Sequence, residues 1–171
     1  QFDAGAIEVD AIVEEGAVTR CDLRLCADNA AEFRQWFYFR ASGVAGKALR
    51  LVFHNAADAA FPDWRGYHCV ASYDRRTWFR IADTSFVDGK LVVEHTPAYD
   101  SVYYAYFEPY SYERHLDLIA RASVHPAARV TSLGQSVEGR ELDCIELGQP
   151  DAERTVWIIA RQHPGETMAE W

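Results

Sequence analysis

His163 and Glu166 are the two residues of this sequence whose types and spacing best suit a metal site. They lie three positions apart in the segment HPGE, which follows the apolar run TVWIIA at 155–160. Imidazole nitrogen and carboxylate oxygen together suit zinc. Pro164 fixes φ and Gly165 allows an unusual backbone, so one turn can aim both side chains at one point. The spacing predicts two ligands of a zinc ion.

The same spacing also has a simpler interpretation. In a chain of this composition about 0.5 H-x-x-E pairs are expected by chance, so a single occurrence carries little information. His163 could cap or pack near a strand end, while Glu166 could favour the first turn of a helix. The run at 155–160 predicts a strand buried on both faces, and open α/β sheets bind ligands at the carboxyl ends of such strands. Spacing and position alone leave both interpretations open.

Short alternating segments separated by turn residues fill the first hundred positions. Residues 18–26 alternate apolar and charged side chains, which is typical of a half-buried antiparallel strand. Asp88-Gly89 suits a tight hairpin, because both residues tolerate positive φ. Further strands are predicted at 35–41, 49–54, 67–73, 78–81, 90–95 and 102–107. This number of strands at this spacing predicts an antiparallel β-sandwich.

The pattern changes after residue 107. Residues 112–122 show helical spacing, with Ser111 as a plausible N-cap. Strands are predicted to follow at 129–133, 142–147 and 155–160. A β-rich fold is therefore expected, in which a sandwich domain at 1–108 precedes the opening helix and strands of an α/β domain at 109–171.

Composition excludes several classes of function. The formal net charge is -9, with no basic tract, so nucleic-acid binding is not expected. No apolar run is long enough to span a bilayer, so no membrane partner is expected. The four cysteines are irregularly spaced and contain no C-x-x-C pair. Reduced thiols in a cytoplasmic protein are the expectation.

Several segments resemble the zinc metallocarboxypeptidases, specifically their cytosolic carboxypeptidase branch, and they occur in the order of that branch. The resemblance covers most of the chain. The segments are QWFYFR at 35–40, VASYDRRTWFRI at 70–81, DGKLVVEHTP at 88–97, YYAYFEPYSYE at 103–113, SVEGRELDCIELG at 136–148 and ARQHPGETMAEW at 160–171.

This resemblance implies a fold and a set of site residues. It implies an amino-terminal antiparallel β-sandwich followed by an α/β/α carboxypeptidase domain, with His163 and Glu166 as ligands of one zinc ion. A third ligand, the general-base glutamate and an arginine that grips the substrate are expected beyond Trp171. Arg161 and Gln162 flank the histidine and are candidates for contacts to the substrate or to the metal ligands.

The function implied is hydrolysis of the carboxy-terminal residue of a peptide or protein, with glutamate as one candidate residue. In such hydrolysis a zinc ion polarises the scissile carbonyl and a glutamate takes a proton from water. The isolated chain, which lacks a full ligand set, is expected to be inactive. The alternative is a protein- or glycan-binding sandwich with an inert HPGE segment.

The remaining aromatic and histidine residues are expected to have ordinary roles. Aromatic side chains in β-sandwiches mostly fill cores, although they could also form a platform for carbohydrate. Those considered are Trp36, Trp64, Tyr73, Trp78 and Tyr104. The histidines other than His163 have no partner at metal-ligand spacing. Arg140 is expected to support a turn.

Overall fold

The chain divides into two units between Pro109 and Tyr110. The computed structural model describes residues 2–163 and 165–171. The predicted boundary lies between 108 and 109, one residue before this division. Whether the first unit folds independently stays a prediction.

Short strands form the first unit. Within the described residues they form a five-stranded sheet in the order β1-β2-β4-β8-β7 and a four-stranded sheet in the order β3-β9-β5-β6. The strands are β1 (Glu8–Glu15), β2 (Val18–Arg24), β3 (Tyr38–Ser42), β4 (Ala48–Phe53), β5 (Val70–Ser72), β6 (Phe79–Arg80), β7 (Thr84–Val87), β8 (Lys90–His95) and β9 (Ser101–Ala105). The β-rich fold predicted from alternation is confirmed.

One pair of strands departs from the antiparallel expectation. β2 and β4 run parallel, in a register from Val18 opposite Ala48 to Leu23 opposite Phe53. The connection between them passes through β3, which belongs to the other sheet. A connection of that length can return the chain in the same direction, whereas a tight hairpin cannot. Alternation reports which face of a strand is buried and does not report the direction of its neighbour.

The two sheets enclose one hydrophobic core. Leu23 of β2, Phe53 of β4 and Val93 of β8 pack in one cluster with Val102 and Tyr104 of β9. Trp64 is buried in the same cluster, and its indole nitrogen donates a 2.8 Å hydrogen bond to the carbonyl of Ala56. The expectation that Trp64 and Tyr104 fill the core is therefore confirmed. Trp36, Trp78 and Tyr103 are partly buried around a smaller cluster formed by Tyr38, Val70 and Ala105.

The Asp88-Gly89 turn joins β7 to β8 as predicted. Both residues have positive φ, 50° and 73°, and Val87 pairs with Lys90 across the turn. Such angles match the twist of a two-residue hairpin. The alternation pattern predicts neither the preceding strand, β7, nor the acidic edge strand β1. Four of the eight residues of β1 are charged, so a period of two is hard to read there.

The second unit begins with helix α1 (Tyr112–Ser123). Ser111 caps this helix by accepting a 3.4 Å hydrogen bond from the backbone N–H of Arg114, as predicted. Strands β10 (Ala128–Gln135) and β11 (Glu141–Leu147) form an antiparallel hairpin. Arg140 lies in the turn of this hairpin, where its carbonyl accepts from the N–H of Ser136. A 3-10 helix follows at Thr167–Glu170.

The prediction of a strand buried on both faces at 155–160 is wrong in this structure. The segment forms no strand, and all six residues are exposed. Val156 and Ile158 have relative exposures of 82% and 90%. A central strand needs a neighbour on each side, and among the described residues β10 and β11 pair only with each other. The apolar run carries the composition of a buried strand without the neighbours that would bury it.

The described residues contain no helix that is both long enough and apolar enough to cross a membrane.

Candidate metal site

His163 and Glu166 face each other across a turn. The backbone N–H of Glu166 donates a 3.0 Å hydrogen bond to the carbonyl of His163, which closes the turn. Nδ1 of His163 then lies 3.0 Å from Oε2 of Glu166. The two side chains are 77% and 51% exposed, so an ion can reach both from solvent. The turn brings the predicted pair together.

Their geometry fits two positions of a zinc ligand set. Donors about 2.0–2.2 Å from a tetrahedral zinc lie about 3.3–3.6 Å apart, so the two atoms, at 3.0 Å, would need to separate only slightly to hold the ion. The donor types, imidazole nitrogen and carboxylate oxygen, also suit that ion. Catalytic zinc takes three protein ligands, and residues 2–163 and 165–171 contain no group of three such side chains that could hold a metal ion. Among the described residues, His163 and Glu166 are therefore a pair of candidate ligands.

The backbone of the turn differs from the expectation at Gly165. Its φ is outside the left-handed region, and a Cβ placed there would meet nothing within 4 Å. Glycine is therefore not required by the backbone at this position. Arg161 has the unusual angle instead, with φ at 55°. The role predicted for Pro164 lies outside the described residues.

Arg161 contacts Glu170, which lies at the end of the 3-10 helix. Nη1 of Arg161 is 3.2 Å from Oε2 of Glu170, and the two side chains are 34% and 14% exposed. Gln162 is exposed. Of the two flanking candidates, the structure thus gives Arg161 a defined carboxylate partner.

Three polar side chains that the sequence did not single out meet beside Arg161. Nε2 of His115, on α1, lies 2.8 Å from Oδ2 of Asp143, on β11. Nδ1 of the same ring lies 3.8 Å from Oε1 of Glu170. The three side chains are only 14–21% exposed. These residues lie far apart in the sequence, so local spacing does not predict that their side chains meet. The expectation that His115 is an ordinary polar residue misses this contact.

The hairpin turn and the first turn of α1 also meet in this unit. The guanidinium of Arg140 lies over the Tyr112 ring at 4.4 Å, and that ring stacks on His115 with an interplanar angle of 16°. Stacking of this kind restrains the imidazole that contacts Asp143. A supporting role for Arg140, as expected from the sequence, agrees with these contacts.

Two further polar groups of the second unit are Tyr110 and Thr167. Burial raises the pKa of the Tyr110 hydroxyl, and the nearby charge of Glu170 raises it further, so this phenol stays neutral at pH 7. Thr167 is 7% exposed, and its hydroxyl has no hydrogen-bond partner among the described residues. An unpaired buried hydroxyl costs about 1–3 kcal/mol. Thr167 therefore has an unused donor and acceptor one residue from Glu166.

Two family models cover nearly the whole chain. Residues 1–107 match the cytosolic carboxypeptidase N-terminal domain, and residues 113–170 match zinc carboxypeptidase. The chain therefore belongs to the zinc carboxypeptidases, as a member of their cytosolic carboxypeptidase branch that carries the amino-terminal domain and the start of the peptidase domain. The resemblance inferred from the sequence segments is confirmed.

Solved structures of metallocarboxypeptidases share this fold. One from Burkholderia cenocepacia matches with a TM-score of 0.90 at 49% identity, over 99% of this chain and 44% of that one. Another, from Pseudomonas aeruginosa in complex with (2-guanidinoethylmercapto)succinic acid, matches with a TM-score of 0.88 at 37% identity, over 99% and 45%. An uncharacterized protein of Zymomonas mobilis is 44% identical over 171 residues, 99% of this chain and 43% of its own length. The chain thus spans less than half the length of these relatives.

Proposed function

We propose that the natural protein is a zinc-dependent carboxypeptidase, in which His163 and Glu166 supply two ligands of one zinc ion. The observation that carries this proposal is the 3.0 Å approach of Nδ1 of His163 to Oε2 of Glu166, inside the segment that matches zinc carboxypeptidase. A third protein ligand, a general-base glutamate and a substrate-binding arginine complete the proposed site from residues beyond Trp171.

The two side chains have distinct parts in this proposal. Neutral His163 offers a nitrogen lone pair, while ionised Glu166 offers a carboxylate oxygen and a negative charge that offsets the charge of the metal. Zinc, when bound, supplies a Lewis acid for the scissile carbonyl and for the attacking water. Both ligands are exposed, which leaves room for the substrate to approach. The 171-residue chain alone, with two of these ligands, is expected to hydrolyse nothing.

Metal analysis of single variants tests the ligand assignment. We expect the purified natural protein to contain one zinc per chain, and His163→Ala and Glu166→Ala each to lose it. His125→Ala and Glu153→Ala serve as matched controls, because both residues are exposed and lie outside the HPGE segment. Zinc retained at wild-type level in both site variants would show that these residues are not ligands. A protein without zinc would instead favour a binding module with an inert HPGE segment.

The substrate class is proposed to be the carboxy-terminus of a peptide or protein. The ligand in the Pseudomonas aeruginosa structure is a substituted succinic acid, so it carries carboxylates, as the terminus of a peptide does. We propose terminal glutamate as one substrate residue, and peptides that differ only in their last residue test this. Release of the last residue, stopped by a chelator and restored by zinc, is the expected result. Equal rates for glutamate, arginine and leucine termini would rule out a preference for glutamate.

A cytoplasmic location is part of the same proposal. It agrees with the family description and with cysteines that are free in the structure. Fractionation of the source cells, with zinc-dependent peptidase activity followed in each fraction, tests it.

A further inference from the structure

Arg161 and Glu170 bracket the segment that carries the two candidate ligands. Arg161 lies two residues before His163, and Glu170 lies four residues after Glu166. Their side chains meet at 3.2 Å. We propose that this ion pair is a clamp that positions His163 and Glu166 for the metal. The inference rests on the proposed function, and it assigns the role of positioning residues to Arg161 and Glu170.

The backbone between the two partners is short and internally bonded. Glu166 donates its N–H to the carbonyl of His163 at 3.0 Å and accepts at its own carbonyl from the N–H of Ala169 at 3.3 Å. Glu166 is thus the N-cap of the 3-10 helix in which Glu170 is the last residue. The Arg161–Glu170 contact therefore reduces the number of backbone conformations open to this segment, which its own hydrogen bonds already restrict.

The clamp is anchored at its carboxylate end. Glu170 is 14% exposed, and Oε1 lies 3.8 Å from Nδ1 of His115, whose other nitrogen contacts Asp143 at 2.8 Å. Each oxygen of Glu170 therefore lies near a different partner, Oε2 near Arg161 and Oε1 near His115. His115 of α1 and Asp143 of β11 therefore place the carboxylate end of the clamp beside regular structure.

The backbone of Arg161 supports the same inference. Its φ of 55° lies in the left-handed region, which is unfavourable for a residue with a Cβ. Unfavourable backbone angles persist where surrounding contacts over-determine them. The ion pair with a partly buried carboxylate is one such contact. The positive φ of Arg161 sets the direction in which the chain enters the HPGE segment two residues later.

Zinc affinity of the natural protein is the principal test, measured with zinc itself in competition with a chromophoric chelator. We expect Arg161→Ala and Glu170→Ala each to weaken zinc binding about 10–100-fold, the usual effect of losing a partner that orients metal ligands. The charge-reversed double variant Arg161→Glu with Glu170→Arg should recover only part of that loss, because it restores the ion pair but places an arginine beside His115. Arg161→Gly suits the positive φ but lacks the guanidinium, so it should resemble Arg161→Ala.

The matched control is a second arginine–glutamate pair in the same unit. Arg129 of β10 and Glu146 of β11 lie 3.3 Å apart at an exposed position. Arg129→Ala removes an ion pair of the same chemistry, and it should leave zinc affinity unchanged. If Arg161→Ala and Arg129→Ala lower the melting temperature equally and also weaken zinc binding equally, the effect is a general loss of stability and the clamp is wrong.

Hydrogen exchange of the zinc-free natural protein separates the clamp from the ligand assignment. The amides of Glu166 and Ala169 should exchange faster in Arg161→Ala than in the wild type, whatever the metal content. If His163→Ala loses zinc while Arg161→Ala and Glu170→Ala bind it like the wild type, the clamp is wrong and the ligands stand. If His163→Ala keeps zinc, the ligand assignment is wrong, and the proposed role of Arg161 and Glu170 in positioning the ligands is then wrong as well.

Discussion

The side-chain amide of Asn55 hydrogen-bonds both backbone groups of Leu25. Oδ1 accepts from the N–H of Leu25 at 2.8 Å, and Nδ2 donates to its carbonyl at 3.0 Å. The parallel ladder between β2 and β4 ends at Leu23 opposite Phe53, so the Asn55 side chain extends the pairing where the backbone ladder stops. Both residues are buried, Asn55 at 7% exposure and Leu25 at 1%.

Asn55→Ala is expected to destabilise the first unit by about 2–4 kcal/mol, because it leaves two buried backbone groups of Leu25 without partners. Urea unfolding monitored by tryptophan fluorescence measures the change. Asn29→Ala is the matched control, since Asn29 is exposed and its replacement should change stability by less than about 0.5 kcal/mol. Equal effects of the two substitutions would show that the paired hydrogen bonds contribute nothing measurable.

Residues 1–108, expressed alone, are expected to melt in one cooperative transition. This unit has its own core, with Phe37, Phe53 and Tyr104 fully buried, and both sheets contribute to it. Calorimetry should give equal calorimetric and van't Hoff enthalpies. A broad transition without a heat-capacity peak would reject the domain boundary placed after residue 108.

Local signals in the sequence were sufficient for several elements. Helix α1 was predicted because its cap, Ser111, and its apolar spacing lie within a dozen residues. The hairpin at Asp88-Gly89 was predicted because both residues suit positive φ. In the candidate site, the contact between His163 and Glu166 is equally local, since a four-residue turn closed by their own backbone hydrogen bond produces it. These features depend on neighbours in sequence, which a pattern can report.

The remaining features depend on partners far along the chain. The parallel pairing of β2 with β4, and the contact of His115 with Asp143 across 28 residues, leave no trace in spacing. The run at 155–160 shows the opposite error. Its apolar, β-branched composition predicts a buried strand, but the described residues contain no neighbouring strands that could pair with it. The Arg161–Glu170 pair lies between these cases. Its residues are close in sequence, but only the turn at 163–166 brings them together.

Asp74 is expected to make the free energy of unfolding of the first unit fall as the pH is lowered. Its carboxylate accepts hydrogen bonds from the backbone N–H groups of Thr77 and Arg76, at 2.7 and 2.8 Å, which lowers its pKa to about 2. The unfolded value is about 3.9, so the stabilisation is fully present above about pH 4 and is lost as the pH falls towards 2.

Urea unfolding between pH 5 and pH 2 compares the wild type with Asp74→Asn. The stability difference between them should shrink as the pH falls below about 4, because the asparagine side chain does not titrate. Asp100→Asn, at an exposed position, provides the control for a general change in charge. Parallel curves for the wild type and Asp74→Asn would contradict the assigned role of the carboxylate.

The exposed run at 155–160 is expected to make the 171-residue chain self-associate. Trp157, Ile158 and Ile159 are 72%, 90% and 68% exposed, and the segment has no strand partner within the described residues. A β-prone, uncharged segment with an unpaired backbone is a template for pairing between chains. Light scattering after size exclusion should therefore show a mass that rises with protein concentration.

Ile158→Lys should lower that mass, because a charge in the middle of the run opposes stacking of identical strands. Val137→Lys adds the same charge at a fully exposed turn residue and should leave self-association unchanged. If the chain stays monomeric at high concentration, exposure of this run is not by itself enough to drive association.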